Sequence, residues 1–216
     1  MKPVTVSALL GEMGELARAL APWLLGAWAL LIGAGMVTDT MVEPGITGLF
    51  TIATSILQLV LTVVIVRRGF TAMGIERDGG AGIGGLFLIA IPLNLGVALG
   101  LLLLILPGFY LAARWRIAVP RLLSSDDGIF EAIGFSRERT KPHWLPLMLA
   151  TMLVAVPMIA AVVPFGLAEE EGAMPLPLSA VANALVYAGI LAGLLLDLAA
   201  YRLIADPTDD LTRTFA

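Results

Sequence analysis

Three charged side chains interrupt apolar parts of the sequence and could do chemistry there. Asp197 lies inside the last long apolar stretch, and Arg114 and Arg116 follow the longest one. Asp197 precedes Ile204 by seven residues, and Arg114 precedes Pro120 by six. Since a helix rises about 1.5 Å per residue, two helices that end at one interface would place these charges at similar depth. We therefore predict an ion pair between Asp197 and Arg114, or between Asp197 and Arg116.

The predicted pair has two interpretations. A carboxylate within a membrane span costs about 2.5–3.5 kcal/mol on insertion scales, so Asp197 needs a partner, a proton or water. The pair is either a proton or anion site in a polar path, or a structural ion pair that holds two helices together, and we favour the structural interpretation. A water-filled cavity that reaches Asp197 would indicate transport, whereas a dry, packed contact would indicate a structural role.

The basic side chains could also contact lipid. Arg114 and Arg116 could grip lipid phosphates of the inner leaflet, because arginine binds phosphate bidentately and basic pockets between helices bind anionic head groups. The alternative is that these side chains only reach out to the membrane boundary. Interfacial lipid contacts are predicted for four further residues: Arg121, Arg137, Arg139 and Lys141.

The sequence contains no recognisable catalytic or metal-binding set. It has no cysteine and one histidine, His143, which excludes thiol chemistry, disulfides and multi-histidine metal sites. The serine-hydrolase elbow, the zinc-protease motif and the phosphate-binding loop are absent. We therefore expect no enzymatic activity, no cofactor, no metal and no nucleic-acid partner.

The composition places the chain in a membrane. Of its 216 residues, 59% are hydrophobic and only 14% are charged, and the mean hydropathy is +0.95. An ordinary soluble domain has about 25% charged residues and cannot bury so many apolar side chains in one core. A soluble enzyme, a nucleic-acid binder and a disordered chain are excluded, and the fold class predicted is an all-α, polytopic membrane protein.

Stretches without charged residues or histidine predict about six transmembrane helices, because about 20 apolar residues cross the hydrocarbon core. The longest stretch, 79–113, is too long for one span and short for two. A break between Asn94 and Gly100 gives two near-equal crossings, whereas a break at Pro107 gives one long helix and a shorter one. We predict two crossings with an outer turn; one span plus a re-entrant helix is the alternative. The predicted spans are 22–38, 45–66, 80–99, 101–120, 144–167 and 179–204.

The distribution of charge predicts the orientation. The loop that holds Asp39 and Glu43, and the loop that holds Glu169, Glu170 and Glu171, contain no basic residue. The other connections carry the basic residues. By the positive-inside rule the acidic loops lie outside, and both termini lie in the cytoplasm.

Two short amphipathic helices are predicted on the cytoplasmic surface, over 7–20 and 125–140. In the first, apolar residues recur at helical spacing on one narrow face. In the second, Ile129, Phe130 and Ile133 share a face. Residues 206–216 form a polar tail that we expect to be mobile.

The segment 106–144 carries a motif. LPGFYLAARWRIAVPRLL is followed by GIFEAIGFSRERTKPHW. These runs resemble the YciC-like family of bacterial six-span inner-membrane proteins, which is related to the membrane domain attached to some glycerophosphodiester phosphodiesterases. Pro142 stands where that pattern has glycine. The matching positions are Pro107, Gly108, Tyr110, Arg114, Pro120, Glu131, Ala132, Ser136, Thr140, Lys141 and Trp144.

The resemblance implies an architecture and a location, the bacterial inner (plasma) membrane, but no chemistry. The phosphodiesterase activity of the related proteins belongs to a separate soluble domain. Our leading hypothesis is a non-enzymatic protein of envelope or lipid homeostasis, or a membrane scaffold, whose partners are membrane lipids and another membrane protein or a second copy. The alternative is a transporter or lipid-translocating protein with Asp197, Arg114 and Arg116 in a polar path.

Overall fold

The computed structural model describes residues 4–40, 44–75, 80–167 and 174–205. These residues form helices joined by short turns, without any strand, which confirms the all-α fold class. In chain order the α-helices are α1 (Val6–Ala19), α2 (Ala21–Thr40), α3 (Pro44–Met73), α4 (Ile83–Leu103), α5 (Ile105–Arg114), α6 (Ala118–Ser124), α7 (Ile129–Arg139), α8 (Trp144–Ala160), α9 (Val162–Leu167) and α10 (Leu176–Ile204).

Five helical segments in the described part are long and apolar enough to cross a membrane. They contain α2, α3, α4, α8 with α9, and α10. Their outer surface is apolar: Leu102 is 81% exposed and Leu103 is 77% exposed. Such a surface is stable against lipid chains and unstable against water. The polytopic membrane architecture is therefore established, with five helices of sufficient length.

α10 is the central element of the bundle. It packs against α1, α2, α3, α6, α8 and α9. Of the 18 most apolar consecutive residues of α10, 44% are buried, whereas the corresponding share is 17% in α3 and in α4. Polar residues that lie inside a membrane domain must avoid lipid, and α10 provides the face on which they can do so.

Contacts along α10 define two ends of the bundle. At the first end, Arg202 of α10 forms an ion pair with Glu12 of α1 at 2.7 Å, and the rings of Phe70 and Tyr201 meet edge to face. We call this the α1 end. At the opposite end Asp39 of α2 accepts hydrogen bonds from α10, and we call it the Asp39 end. α1 and the last turn of α10 therefore lie at the same end of the bundle.

The predicted return span over 101–120 is not a continuous helix. α4 ends at Leu103, Leu104 is extended, and α5 starts at Ile105. α5 has 10 residues. It therefore rises about 15 Å, half of the about 30 Å of a hydrocarbon core. Its last residue, Arg114, already contacts α7 at the level where α8 begins. The returning arm continues through a turn into α6, where the Leu122 carbonyl accepts from the Ala81 N–H at 3.0 Å just before α4 begins. It is thus an interrupted helix that reaches the level of the start of α4, and both the sixth full crossing and the re-entrant alternative stay predictions.

The break at Leu104 lies between the two places that the sequence suggested. Two glycines explain its position. A Cβ at Gly108 would lie 2.6 Å from the backbone nitrogen of Leu101, and one at Gly100 would lie 2.8 Å from the Cα of Gly108. Because neither glycine carries a side chain, the two arms of the hairpin approach closely just below the tip.

Both predicted amphipathic helices exist as α1 and α7. Thr5 caps α1, and its buried residues Leu9 and Leu16 pack into the core of the bundle. In α7 the predicted shared face is wrong in one residue. Ile133 packs against the core, whereas Phe130 is 83% exposed, because it lies on the opposite side of the helix from the buried Ala132 and Ser136.

Several sequence predictions lie outside the described residues. They concern the polar tail 206–216 and the acidic side chains Glu43, Glu169, Glu170 and Glu171.

Candidate functional site

Arg116 and Asp197 form an ion pair inside the bundle. The Arg116 Nη1 donates to Asp197 Oδ1 at 2.9 Å and to the Gly193 carbonyl at 3.3 Å, both on α10. Its Nε donates to the Thr151 hydroxyl of α8 at 3.1 Å. The Arg116 and Asp197 side chains are only 15% and 17% exposed. The pair therefore joins three parts of the chain in a largely desolvated position.

The local backbone aims Arg116 at this position. α5 ends at Arg114, and residues 115–117 form a turn, so Arg116 leaves the helical path before α6 begins. On α8 the Thr151 hydroxyl donates to the Leu147 carbonyl at 2.7 Å. Because its proton is used within its own helix, the oxygen has a lone pair left for the Arg116 Nε.

A cavity of about 380 Å³ lies against the pair. This volume falls in the range of about 300–1,000 Å³ that is typical of ligand pockets. Its α10 wall extends from Gly189 to Asp197. Eight residues of helix correspond to about 12 Å, so the cavity extends from the pair towards the middle of the bundle.

The cavity wall is mostly apolar with a few polar groups. Within the described residues Arg116 and Asp197 are the only charged side chains that line it. The wall is incomplete near the middle of α4, where Asn94 is exposed, and near the end of α8, where Met158 is 43% exposed. The other polar lining side chains are Gln58, Thr62, Asn94, Trp115 and Thr151.

In the structure Asp197 thus pairs with Arg116, which is the second of the two predicted pairings. The contact is not fully packed, because a cavity reaches both side chains. A packed contact was expected for a structural pair, and both interpretations of the pair stay predictions.

Arg114 does not take part in this site. Its side chain is 8% exposed, its Nη1 donates to the Tyr110 hydroxyl at 3.0 Å, and its Nη2 donates to the Arg137 carbonyl of α7. Its own carbonyl accepts from Ser136 at 2.9 Å and from Thr140 at 3.0 Å. Arg114 therefore fixes α7 to α5, which we call the α5–α7 joint.

The joint accounts for much of the motif in 106–144. The Tyr110 ring meets the Trp144 ring edge to face at 5.8 Å. Glu131 accepts a hydrogen bond from the Gly128 N–H at 2.9 Å and so satisfies the start of α7. Gly108 lets the hairpin arms meet. These motif positions hold the hairpin, α7 and the start of α8 together.

The predicted interfacial lipid contacts fall into two groups. Arg121 pairs with Asp127 at 2.5 Å and lies over the Phe135 ring, where Arg139 also lies. The hydrogen bond from Arg121 lowers the pKa of the Asp127 carboxyl. These two arginines are thus engaged within the protein, whereas Arg137 and Lys141 are exposed. The prediction of a lipid contact is weakened for Arg121 and Arg139 because protein groups already occupy them.

Sequence reasoning missed a second polar group, at the Asp39 end. Asp39 was assigned to an outer loop, but its Oδ2 accepts from Ser179 at 2.7 Å and from Asn183 at 2.6 Å. A Cβ at Gly35 would lie 1.9 Å from the Asn183 side chain, so this glycine makes room for the amide. The four-residue spacing of Ser179 and Asn183 within an apolar helix was the available signal.

The described residues contain no group of three or more histidine, cysteine or acidic side chains that could hold a metal ion. Comparison of the chain with protein-family models, with curated proteins and with solved structures finds no match.

Proposed function

We propose that this protein is a lipid-translocating or lipid-like-solute transporter whose binding site is the cavity beside Arg116 and Asp197. One observation carries the proposal: a cavity of about 380 Å³ ends on an intramembrane ion pair. Ionisable residues within membrane spans are costly and mark substrate or ion pathways. An ion pair with only a structural role would be more stable in closely packed surroundings than beside a cavity.

The lining favours an amphiphilic ligand. Apolar side chains and glycines form most of the wall, while the charged pair lies at one end of the cavity. An apolar wall binds a hydrocarbon portion, and a few placed polar groups fix the orientation of the ligand. The exposed Asn94 lies in the middle of α4, and Met158 lies against Gly189 in the middle of α10, where the surroundings of the protein are hydrocarbon. A lipid-like molecule can therefore enter from the side.

We also propose the location and family that the sequence suggested. The protein would be a YciC-like protein of the bacterial inner (plasma) membrane with both termini in the cytoplasm. The placement of the motif residues in the α5–α7 joint supports a shared architecture. Since the sequence has no cysteine, single cysteines at 170 and at 137 test the orientation with an impermeant thiol reagent. Labelling of position 137, but not of position 170, in intact cells would contradict it.

Reconstitution into vesicles tests the function. Vesicles containing fluorescent phospholipid are treated with an impermeant quencher, which reaches only the outer leaflet. Vesicles with the protein should lose fluorescence beyond the outer-leaflet fraction, and those without protein should not. If the two kinds of vesicle behave alike, the proposed transport of lipid is wrong.

A matched pair of substitutions ties transport to the cavity. Ala155 of α8 lines the cavity, and Ala160 of the same helix is exposed on its outer side. Ala155→Phe fills the cavity and should abolish the additional quenching. Ala160→Phe adds the same volume against lipid and should leave it unchanged. Equal activities of the two variants would place the lipid path outside this cavity.

The scaffold hypothesis is the second candidate, and one observation favours it. Phe130 of α7 is 83% exposed beside the exposed Arg137 and Lys141 side chains. An exposed aromatic ring among basic residues is typical of an interaction surface. A scaffold predicts that Phe130→Ala releases a protein that co-purifies in mild detergent while lipid transfer is unchanged.

A further inference from the structure

We infer that the cavity accepts an anionic head group and that binding of the anion is coupled to uptake of one proton by Asp197. This inference rests on the proposed function and names the substrate class of the same site. Three features of the site support it: Arg116 has unused hydrogen-bond donors, the charges of Arg116 and Asp197 balance, and no other charged side chain of the described residues lines the cavity.

Arg116 has donors left for a ligand. Its Nε and Nη1 are used by Thr151, Gly193 and Asp197. Its Nη2 makes no hydrogen bond within the described part of the chain, and it is not among the buried atoms that lack a partner. Arginine presents five N–H donors in a fixed plane, so two of them remain available on a residue that lines the cavity.

The charge of the empty site is balanced, and only one partner can change its charge. Arg116 stays protonated under all physiological conditions, whereas a carboxylate can take up a proton. A bound anion would give the site one excess negative charge, which a proton on Asp197 removes. A bound cation would give one excess positive charge that Arg116 cannot release. In a medium of low polarity this asymmetry selects anions over cations.

No other described charge can take over this role. Within the described residues, the helices packed against α10 contribute only neutral polar side chains to the cavity wall: Thr151 from α8, and Gln58 and Thr62 from α3. The cavity side of α4 contributes the Asn94 amide.

The remaining charges on these elements face other partners. Each is paired, hydrogen-bonded or exposed, and none of them lines the cavity. On α10 and α1 they are Arg202 with Glu12 and Glu15, and the exposed Arg18; on α2 Asp39; on α3 the exposed Arg67 and Arg68, which flank Gly69 where it packs against Leu198; on α6 Arg121 with Asp127.

Binding and proton uptake can be measured together by titration calorimetry of the purified protein in detergent. The probe is hexanesulfonate, a six-carbon amphiphile whose anion does not titrate, and the matched control is hexylammonium. Titrations in two buffers with different ionisation enthalpies give the number of protons taken up per ligand. We expect hexanesulfonate to bind with uptake of one proton and hexylammonium to bind more weakly or not at all.

The pH dependence of affinity gives an independent measure. With one coupled proton, the affinity for hexanesulfonate should fall by up to about tenfold per pH unit once Asp197 is ionised in the free protein. Asp197→Asn keeps a hydrogen-bond acceptor for Arg116 but cannot titrate. This variant should bind hexanesulfonate without proton uptake, and its affinity should not fall as the pH rises. The wild-type pH series tests the coupling even if the variant does not fold.

The outcomes separate the inference from the proposed function. Binding of hexanesulfonate without a proton, an unchanged proton count in Asp197→Asn, or tighter binding of hexylammonium would overturn the anion–proton coupling while lipid transfer in vesicles still stands. If vesicles that contain the wild-type protein show no lipid transfer, the proposed function itself is wrong. Comparing transfer of an anionic and a zwitterionic fluorescent phospholipid then shows whether the anion is a lipid head group or a free amphiphile: a faster anionic lipid supports the former.

Discussion

Arg114 and Arg116 are two residues apart, yet they lie in environments with opposite properties. Arg114 donates to the Tyr110 hydroxyl and to a backbone carbonyl of α7, and it does not line the cavity beside Asp197. Arg116 leaves the chain in the following turn and lies beside a cavity with donors unused. The first environment fixes neighbouring elements in place. The second can exchange a protein partner for a ligand.

The comparison shows that the burial of a charge does not by itself identify a functional site. Arg114 is the more buried of the two arginines, but its partners are backbone and hydroxyl groups that cannot leave. What distinguishes Arg116 is adjoining space together with a partner, Asp197, whose charge can change. The following substitutions test whether the two regions differ in this way.

The largest effect on stability is expected for Arg114→Ala. The change removes two hydrogen bonds from a charged donor, each contributing about 1.5–3 kcal/mol, and leaves the Arg137 carbonyl without its partner. Thermal unfolding in detergent should show a loss of about 3–6 kcal/mol, the sum of two such bonds. Arg137→Ala is the control, because Arg137 contributes only its backbone carbonyl to the joint. If both variants unfold alike, Arg114 does not hold α7.

A smaller effect on stability is expected for Asp197→Ala. This variant leaves the Arg116 charge without its carboxylate, but the cavity allows water to solvate the guanidinium. We expect a loss of about 1–3 kcal/mol, the range for a group left unsatisfied, and a smaller loss for Asp197→Asn, which keeps an acceptor. Equal and small losses for both substitutions, measured as for Arg114, would contradict a stabilising pair.

The sequence was sufficient for the fold class and for the existence of the pair, but not for the choice of arginine. Apolar runs of span length determine membrane helices almost regardless of context, and Asp197 was recognised because it interrupts one of them. The choice between Arg114 and Arg116 depends on which of the two side chains points towards α10. That direction is set by the turn at 115–117, which the prediction of a continuous helix to Pro120 did not include.

The hairpin tip and the Asp39 group were missed for a related reason. Leu104 lies in a run of leucine and isoleucine without a turn signal, and the helix ends there because Gly100 and Gly108 allow the arms to meet. Asp39 looked like a loop residue because α2 extends further than its apolar run. In both cases a contact between distant segments, which no local pattern carries, determines the structure.

The hairpin itself offers the next prediction. Gly108→Ala places a Cβ 2.6 Å from the Leu101 backbone nitrogen, so the arms must separate. Overpacking of this kind costs about 1–3 kcal/mol. Gly134→Ala in α7 meets nothing within 4 Å and should stabilise the protein by about 0.5–1 kcal/mol, as expected for alanine in a helix. A neutral Gly108→Ala variant in the unfolding assay would show that the arms are not in close contact.

The smallest effect is expected where the α5–α7 joint meets water, at the Arg121–Asp127 pair. Both side chains are more than a quarter exposed, so the pair should contribute at most about 1 kcal/mol. The hydrogen bond from Arg121 lowers the pKa of Asp127 in the folded protein. This stabilisation is therefore present above the unfolded-state pKa of about 3.9 and is lost as the pH falls through the lower folded-state value.

Asp127→Asn should accordingly be slightly less stable than the wild type at pH 7, and the difference should decrease as the pH falls below about 3.9. High salt should narrow it as well, because exposed charges are screened. Asp126→Asn is the control, since its amide oxygen can still accept the Gly80 N–H. A difference that stays unchanged as the pH is lowered would mean that Asp127 acts through packing rather than charge.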